Sequence, residues 1–526
     1  MFSLWIILGG LLGCAPASRR ISAPTLAAPA TSELPAPART AWLDAAIREA
    51  GGDLSGAYTS LSRARAFDPD SPWLRLEQAE LAIRVEDLGV AEGLLAEVER
   101  AHPEIPRLWV LKGRVQLQRQ DVEGANASAL RALELAPADE GAWRLRLEVA
   151  AAQGALDAAI AAWRAVPLQG PAALGARGLG LAPHDPARAL DDLGAAFALG
   201  SADDAVVIGL VDAGLRAGRL RSAMAWLARR PDAEGQAVAH ARARLGQVAG
   251  DPELELRGLI ALHAQAASED PGGEAALTLL GRGALARYRL GAPAAALRAP
   301  ADAVFAGRAG LPTGLVFDVQ LVAGRLDAAA TLLSERRARG QADLALEARL
   351  ADLKGVPMRA DLLLGHAWAS LEGASLPPSP EERARLALAI AEHALRSSSP
   401  SESPRLLAPL VAGEVDPALR PALLLALARA YEANVQPDLA RATWEALLRL
   451  DPHQPDALLA SARAMAASAA GPARALPRVE AALEAGPCSV EAWALAAELF
   501  DATGDAAQAA IARDNAARYA KFRRLP

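Results

Sequence analysis

The residues of this 526-residue chain that most readily bind metals or attack carbon are seven histidines and two cysteines. The histidines are His102, His184, His240, His263, His366, His393 and His453, and none has a second histidine or a cysteine at metal-ligand spacing. The spacing therefore predicts no zinc site. Several lie beside proline, as in His102-Pro103 and Pro452-His453, and read as exposed turn residues. Cys488 follows Gly486 and Pro487 with no charged activator near it in sequence, so it reads as an inert thiol. Carboxylates are paired at Asp191-Asp192 and Asp203-Asp204. Such pairs suit solvated faces and first helical turns, where they oppose the helix dipole, and without a cleft they do no acid–base work. Gly175, Gly178 and Gly180 miss the dinucleotide spacing, and neither a Gly-Lys-Ser/Thr loop nor a Gly-x-Ser-x-Gly elbow occurs. The expectation is a non-catalytic chain with no cofactor, no metal and no small-molecule substrate.

If the residues do no chemistry, the elements that carry them must be read for another purpose. Aromatics make up only 4% of the chain, while Ala, Leu and Arg dominate, a balance that favours helix over strand. Net charge is −7 with both signs interspersed, which leaves no basic face for nucleic acid. A chain of this length exceeds one ordinary core and needs several domains or an elongated array.

The spacing of small and bulky residues points to the array. Pro69, Pro103 and Pro137 fall 34 residues apart, as do Ala57, Ala91, Ala125 and Ala159, and Trp109 and Trp143. Each of those tryptophans lies six residues after a proline of the series. Closely crossing helices need small residues at the contact, so Ala125 and Ala440 are expected there, with Gly113 in a partner helix. Proline fixes the turn into the next unit. The pattern resembles the tetratricopeptide repeat, whose period is 34. Its fullest match is 421–454, where Leu424, Leu427, Ala428, Tyr431, Ala440, Trp444, Leu447 and Pro452 occur in order. A further unit carries Ala475, Val479, Ala482 and Pro487, and the last carries Trp493, Ala497, Phe500, Gly504 and Ala509. The resemblance implies an all-α, right-handed solenoid of helix-turn-helix repeats. Residues 39–167 form the leading array and 421–520 the closing one, before a basic tail at 521–526. The middle, 168–420, is looser: Gly218 with Ala223 and Trp226, Gly324 with Ala329 and Leu333, and Gly291 with Ala296 mark degenerate units. It reads as hairpins with an eroded consensus, or as a separate α-domain of another type, since helical periodicity alone cannot tell these apart.

The amino-terminal residues read as an address. Leu4-Trp5-Ile6-Ile7-Leu8 is too short to span a bilayer as a permanent helix. With Leu11-Leu12-Gly13-Cys14 it resembles a bacterial lipoprotein signal peptide, although no Lys or Arg precedes the apolar run. The resemblance implies cleavage after residue 13, acylation of Cys14 and anchorage of the chain to a membrane; Ala15 after the cysteine implies the outer membrane of the cell envelope. Residues 14–38, with prolines at 16, 24, 29, 35 and 37, form a Pro/Ala-rich tether.

If the array stacks as the resemblance implies, the first helix of each pair lines a groove. That maps Trp73, Leu76, Glu80, Arg107, Val110, Arg114, Arg144 and Glu148 to a surface for peptide segments of other proteins. The expected function is a lipid-anchored scaffold that helps assemble a cell-envelope complex. The alternatives are a regulatory activator of a cell-wall enzyme and, last, a degenerate peptidoglycan-processing enzyme.

Overall fold

The computed structural model describes residues 34–167, 170–201, 203–372, 380–396, 403–413, 416–468 and 471–526. Cys14, the signal segment and most of the tether lie outside the described residues. Among those described are 28 α-helices, helix accounts for 78%, and there is no strand. The fold is all-α, built of helical hairpins. The chain divides into two compact units, Met1–His184 and Asp185–Pro526.

In the first unit the hairpins pair Ala36–Ala50 with Leu54–Phe67, Pro72–Arg84 with Leu88–Ala101, Pro106–Gln118 with Val122–Leu135, and Glu140–Ala152 with Leu156–Ala165; Pro171–Leu181 follows. The first helix begins at Ala36 rather than beyond residue 38, because Leu34 and Ala38 are buried against Ala41, Ala64 and Leu74. Within each hairpin one residue takes a left-handed conformation: Gly52, Glu86, Gln120 and Gly154, at φ of 84°, 62°, 63° and 69°. These four lie 34 apart, so the period is a backbone fact as well as a side-chain one. An N-cap aspartate follows in the first three hairpins, where Asp53, Asp87 and Asp121 accept from the amides of Gly56, Val90 and Gly124. Proline opens the helices at Pro72 and Pro106, where its missing N–H is no loss.

Small residues sit where the helices cross. Ala57, Ala91 and Ala125 are fully buried, and a Cβ on Gly113 would lie 2.4 Å from the Leu145 side chain. Leu76, Leu95, Leu108 and Leu111 fill the space between successive hairpins, each worth about 1.5–3 kcal/mol by burial. The tryptophans fill space and also hold the turns: the indole N–H groups of Trp109, Trp143 and Trp493 donate to the carbonyls of Pro103, Pro137 and Pro487 at 2.8, 2.8 and 2.7 Å.

The second unit continues in helical hairpins. Asp204–Arg216 turns at Gly218 into Leu220–Ala228, and Thr313–Val322 turns at Gly324 into Leu326–Ala338, both through positive φ. Glu274–Arg289 turns at Gly291 into a short 3₁₀ segment, Ala294–Leu297. Ala223, Ala329 and Leu333 are buried as the spacing predicts. Gln236–Ala249 and Pro252–Glu269 approach backbone to backbone: a Cβ on Gly246 would meet the Glu255 amide at 2.2 Å, and one on Gly258 the Ala239 carbonyl at 2.4 Å. Arg420–Ala433 and Pro437–Leu450 form the hairpin of best consensus, with Ala428, Ala440, Trp444 and Leu447 buried. This unit also closes on itself. Leu220–Ala228 packs against Pro472–Ala485, and the His453 ring lies against Gly218.

Candidate protein-interaction surface

The residues mapped to a groove all lie on first helices of the leading hairpins, and the structure sorts them by exposure. Leu76 and Val110 are 2% and 5% exposed and belong to the core between hairpins, where they hold the helices together. Sequence period alone cannot separate a helix face that meets the next hairpin from one that meets solvent, since the two adjoin. Trp73 is half-buried and packs on Trp42 with ring centroids 5.1 Å apart. Arg144 and Glu148 are exposed, and Arg144 pairs with Glu140 on its own helix at 3.4 Å.

Glu80, Arg107 and Arg114 join through a residue the spacing did not single out, Glu77. The Arg107 guanidinium reaches Glu77 at 2.7 Å and also Glu80, which in turn lies 3.6 Å from Arg114. Burial pushes the Glu77 carboxyl above its ordinary range, and the attraction of Arg107 only partly offsets this. Burial also disfavours the charged form of Arg107, but Glu77 and Glu80 outweigh it and its pKa ends raised. The same step recurs: Arg119 meets Glu92, Arg282 meets Glu255, and Arg429 meets Asp456, each 27 residues apart. One period less two helical turns gives that separation, so these pairs stitch successive repeats.

The histidines do not gather. His102 faces Glu104 at 3.3 Å, and His240 faces its own helix at the Gln236 carbonyl. His393 departs from the turn reading: it is 3% exposed, with Nδ1 2.9 Å from Asp352 and Nε2 2.8 Å from Asp361. These two contacts tie Leu344–Leu353, Pro357–Glu372 and Pro380–Arg396 together. Its partners lie 41 and 32 residues away, beyond any local motif. No group of three or more His, Cys, Asp or Glu among the described residues is placed to hold a metal. Burial, with Asp251 adding to it, pushes the Cys488 thiol up to about 12, so it is no nucleophile at neutral pH. No helix among the described residues is long and apolar enough to cross a membrane.

No family model matches the chain, and no curated protein does. Among solved structures, the chain is similar to the anaphase-promoting-complex heterotetramer Cut9–Hcn1 at 13% identity, covering 88% of this chain and 96% of that one with a TM-score of 0.29. It is similar to Naa15/Naa10 bound to HypK-THB at 14% identity, covering 92% and 89% with a TM-score of 0.30. It is also similar to the PilF of Pseudomonas aeruginosa at 13% identity, covering 45% and 94% with a TM-score of 0.26.

Proposed function

We propose that the chain is a non-catalytic scaffold that binds other proteins through the first helices of its leading hairpins, while a lipid on Cys14 holds it to a membrane of the cell envelope. The observation that carries the binding half is the charged ladder Glu77–Arg107–Glu80–Arg114, flanked by half-buried Trp73 and exposed Arg144 and Glu148. Aromatic and guanidinium groups beside an ordered charge pattern are what a peptide segment needs for affinity and register. A photoreactive residue at Glu148 should capture a defined partner in cells, whereas one at Leu130, exposed on a second helix, should not. Equal capture at both positions, or none at Glu148, would remove the surface.

The anchoring half rests on Leu11-Leu12-Gly13-Cys14 and the Pro/Ala-rich stretch after it. Each buried CH₂ of an acyl chain adds about 0.8 kcal/mol, and two chains hold stably where one does not. The chain should therefore sediment with membranes, and Cys14→Ser should release it or leave it unprocessed. Recovery of the unaltered chain from the cytoplasm with Met1 in place would end the anchoring proposal and leave the scaffold.

A further inference from the structure

The end of helix Glu274–Arg289 has four carbonyls with no partner further along the helix. Three are met by its own turn: Leu290 donates to Ala286, Gly291 to Tyr288, and Ala292 to Arg287. The fourth, that of Arg289, accepts from the Arg523 amide at 2.8 Å. The Arg523 guanidinium donates to the Ala292 carbonyl at 3.4 Å and lies 5.6 Å from the centroid of the Tyr288 ring. A cation is well placed here, since a helix C-terminus carries partial negative charge and an aromatic face attracts guanidinium. Three residues on, the Pro526 main-chain oxygen accepts from Arg349, whose own position is set by Asp318 at 2.8 Å. Phe522, Leu525 and Pro526 are half-buried, while Arg523 and Arg524 remain exposed.

The segment after helix Ala506–Tyr519 is thus irregular backbone held by a main-chain bond at one end, a guanidinium at the other and a cationic side chain between. Those are the contacts of a bound peptide: backbone bonds for affinity, one side chain for selectivity. We propose that Tyr288, the carbonyls of Arg289 and Ala292, and Arg349 form a second peptide site, selective for an extended segment bearing arginine, which residues 522–526 of the same chain occupy. It deepens the scaffold reading and rests on it, but it uses no residue of the Glu77–Arg107 ladder. A partner with a similar arginine would have to displace the resident segment, so the site is held closed until such a partner is abundant.

The probe is a labelled, carboxyl-amidated peptide of residues 519–526, titrated into the full chain and into its Arg523→Glu variant. A resident segment bound about nine-tenths of the time raises the apparent Kd about tenfold, so the variant should bind the probe about tenfold more tightly than the unaltered chain. A probe whose own Arg523 is replaced by Glu should not bind, and Arg349→Ala added to the variant should weaken binding. In the unaltered chain, the Arg523 amide, bonded to the Arg289 carbonyl, should exchange about tenfold more slowly than a free amide and should quicken with saturating probe. Equal binding to both chains, no binding to the variant, or unprotected exchange overturns the proposal. Failure here leaves capture at Glu148 untouched, and loss of that capture leaves this titration untouched.

Discussion

Val435 adopts φ of 57° with 84% of its surface exposed. It occupies the hairpin turn where other repeats place Gly52, Gly154 or Gly504. A β-branched residue in this conformation carries about 1–2 kcal/mol of strain, which an exposed side chain does nothing to repay. Val435→Asn should therefore raise stability by about 0.5–1 kcal/mol, since asparagine tolerates the left-handed region without glycine's loss of chain entropy. A thermal melt at or below that of the unaltered chain would show the strain to be absent. Glu255 illustrates the opposite problem, a charge taken out of water. It is 7% exposed between Arg282 at 3.2 Å and Arg289 at 3.9 Å, yet burial still pushes its carboxyl above the ordinary value. With a raised folded-state pKa, the native chain binds the proton at a pH where the unfolded chain has released it, so stability falls as pH rises from about 4.3 through the raised value. Relative to Glu255→Gln, which cannot ionise, the unaltered chain should gain stability as pH falls from neutrality into that window. Denaturant midpoints of the two chains at neutral pH and near pH 4.5 measure it; a constant difference would mean Glu255 titrates normally.

At the scale of the helix, the caps are as periodic as the core. Asp53, Asp87 and Asp121 close three successive second helices, but the fourth position of the series is Ala155, which caps nothing. Ala155 is half-buried. Ala155→Asp should gain about 1 kcal/mol and Asp121→Ala lose about as much, because each changes whether a helix-start amide has a partner. If both substitutions leave the melting curve unmoved, these caps are water-satisfied equally well. The elements were legible in the sequence because their causes are local: Ala at crossings, proline at starts and Trp six residues past proline all repeat with the period. The site was less legible. Period marked Glu80, Arg107 and Arg114 but also Leu76 and Val110, whose faces turn toward the next hairpin. Glu77 was missed because it lies one turn before Glu80, where spacing marks nothing, and only the reach of Arg107 brings it in.

At the scale of the molecule, the two units differ in how their contacts span the chain. In the first unit each hairpin meets its neighbours, as in any array whose stability sums nearest-neighbour terms. The second adds a closure that no periodic reading could supply, because it joins residues 262 apart. Glu484 accepts from both the amide and the hydroxyl of Ser222 at 3.2 and 2.9 Å, and pairs with Arg221 at 3.3 Å. Arg221 in turn stands 5.7 Å from the Trp493 ring centroid. Each bond contributes on the order of 1 kcal/mol, but their placement matters more than their sum. An open array frays from its last hairpin inward, whereas here the helices between 228 and 472 are held from both sides until Leu220–Ala228 parts from Pro472–Ala485. Native-state hydrogen exchange should therefore give these two helices matched opening free energies in the unaltered chain. In Glu484→Ala the two should separate, with 472–485 opening at lower cost, while the first unit exchanges as before. Glu484→Gln keeps an acceptor for Ser222 but loses the charge for Arg221, so it should fall between the two. If the helices stay matched in Glu484→Ala, the closure is held by packing alone and this carboxylate does not couple the ends.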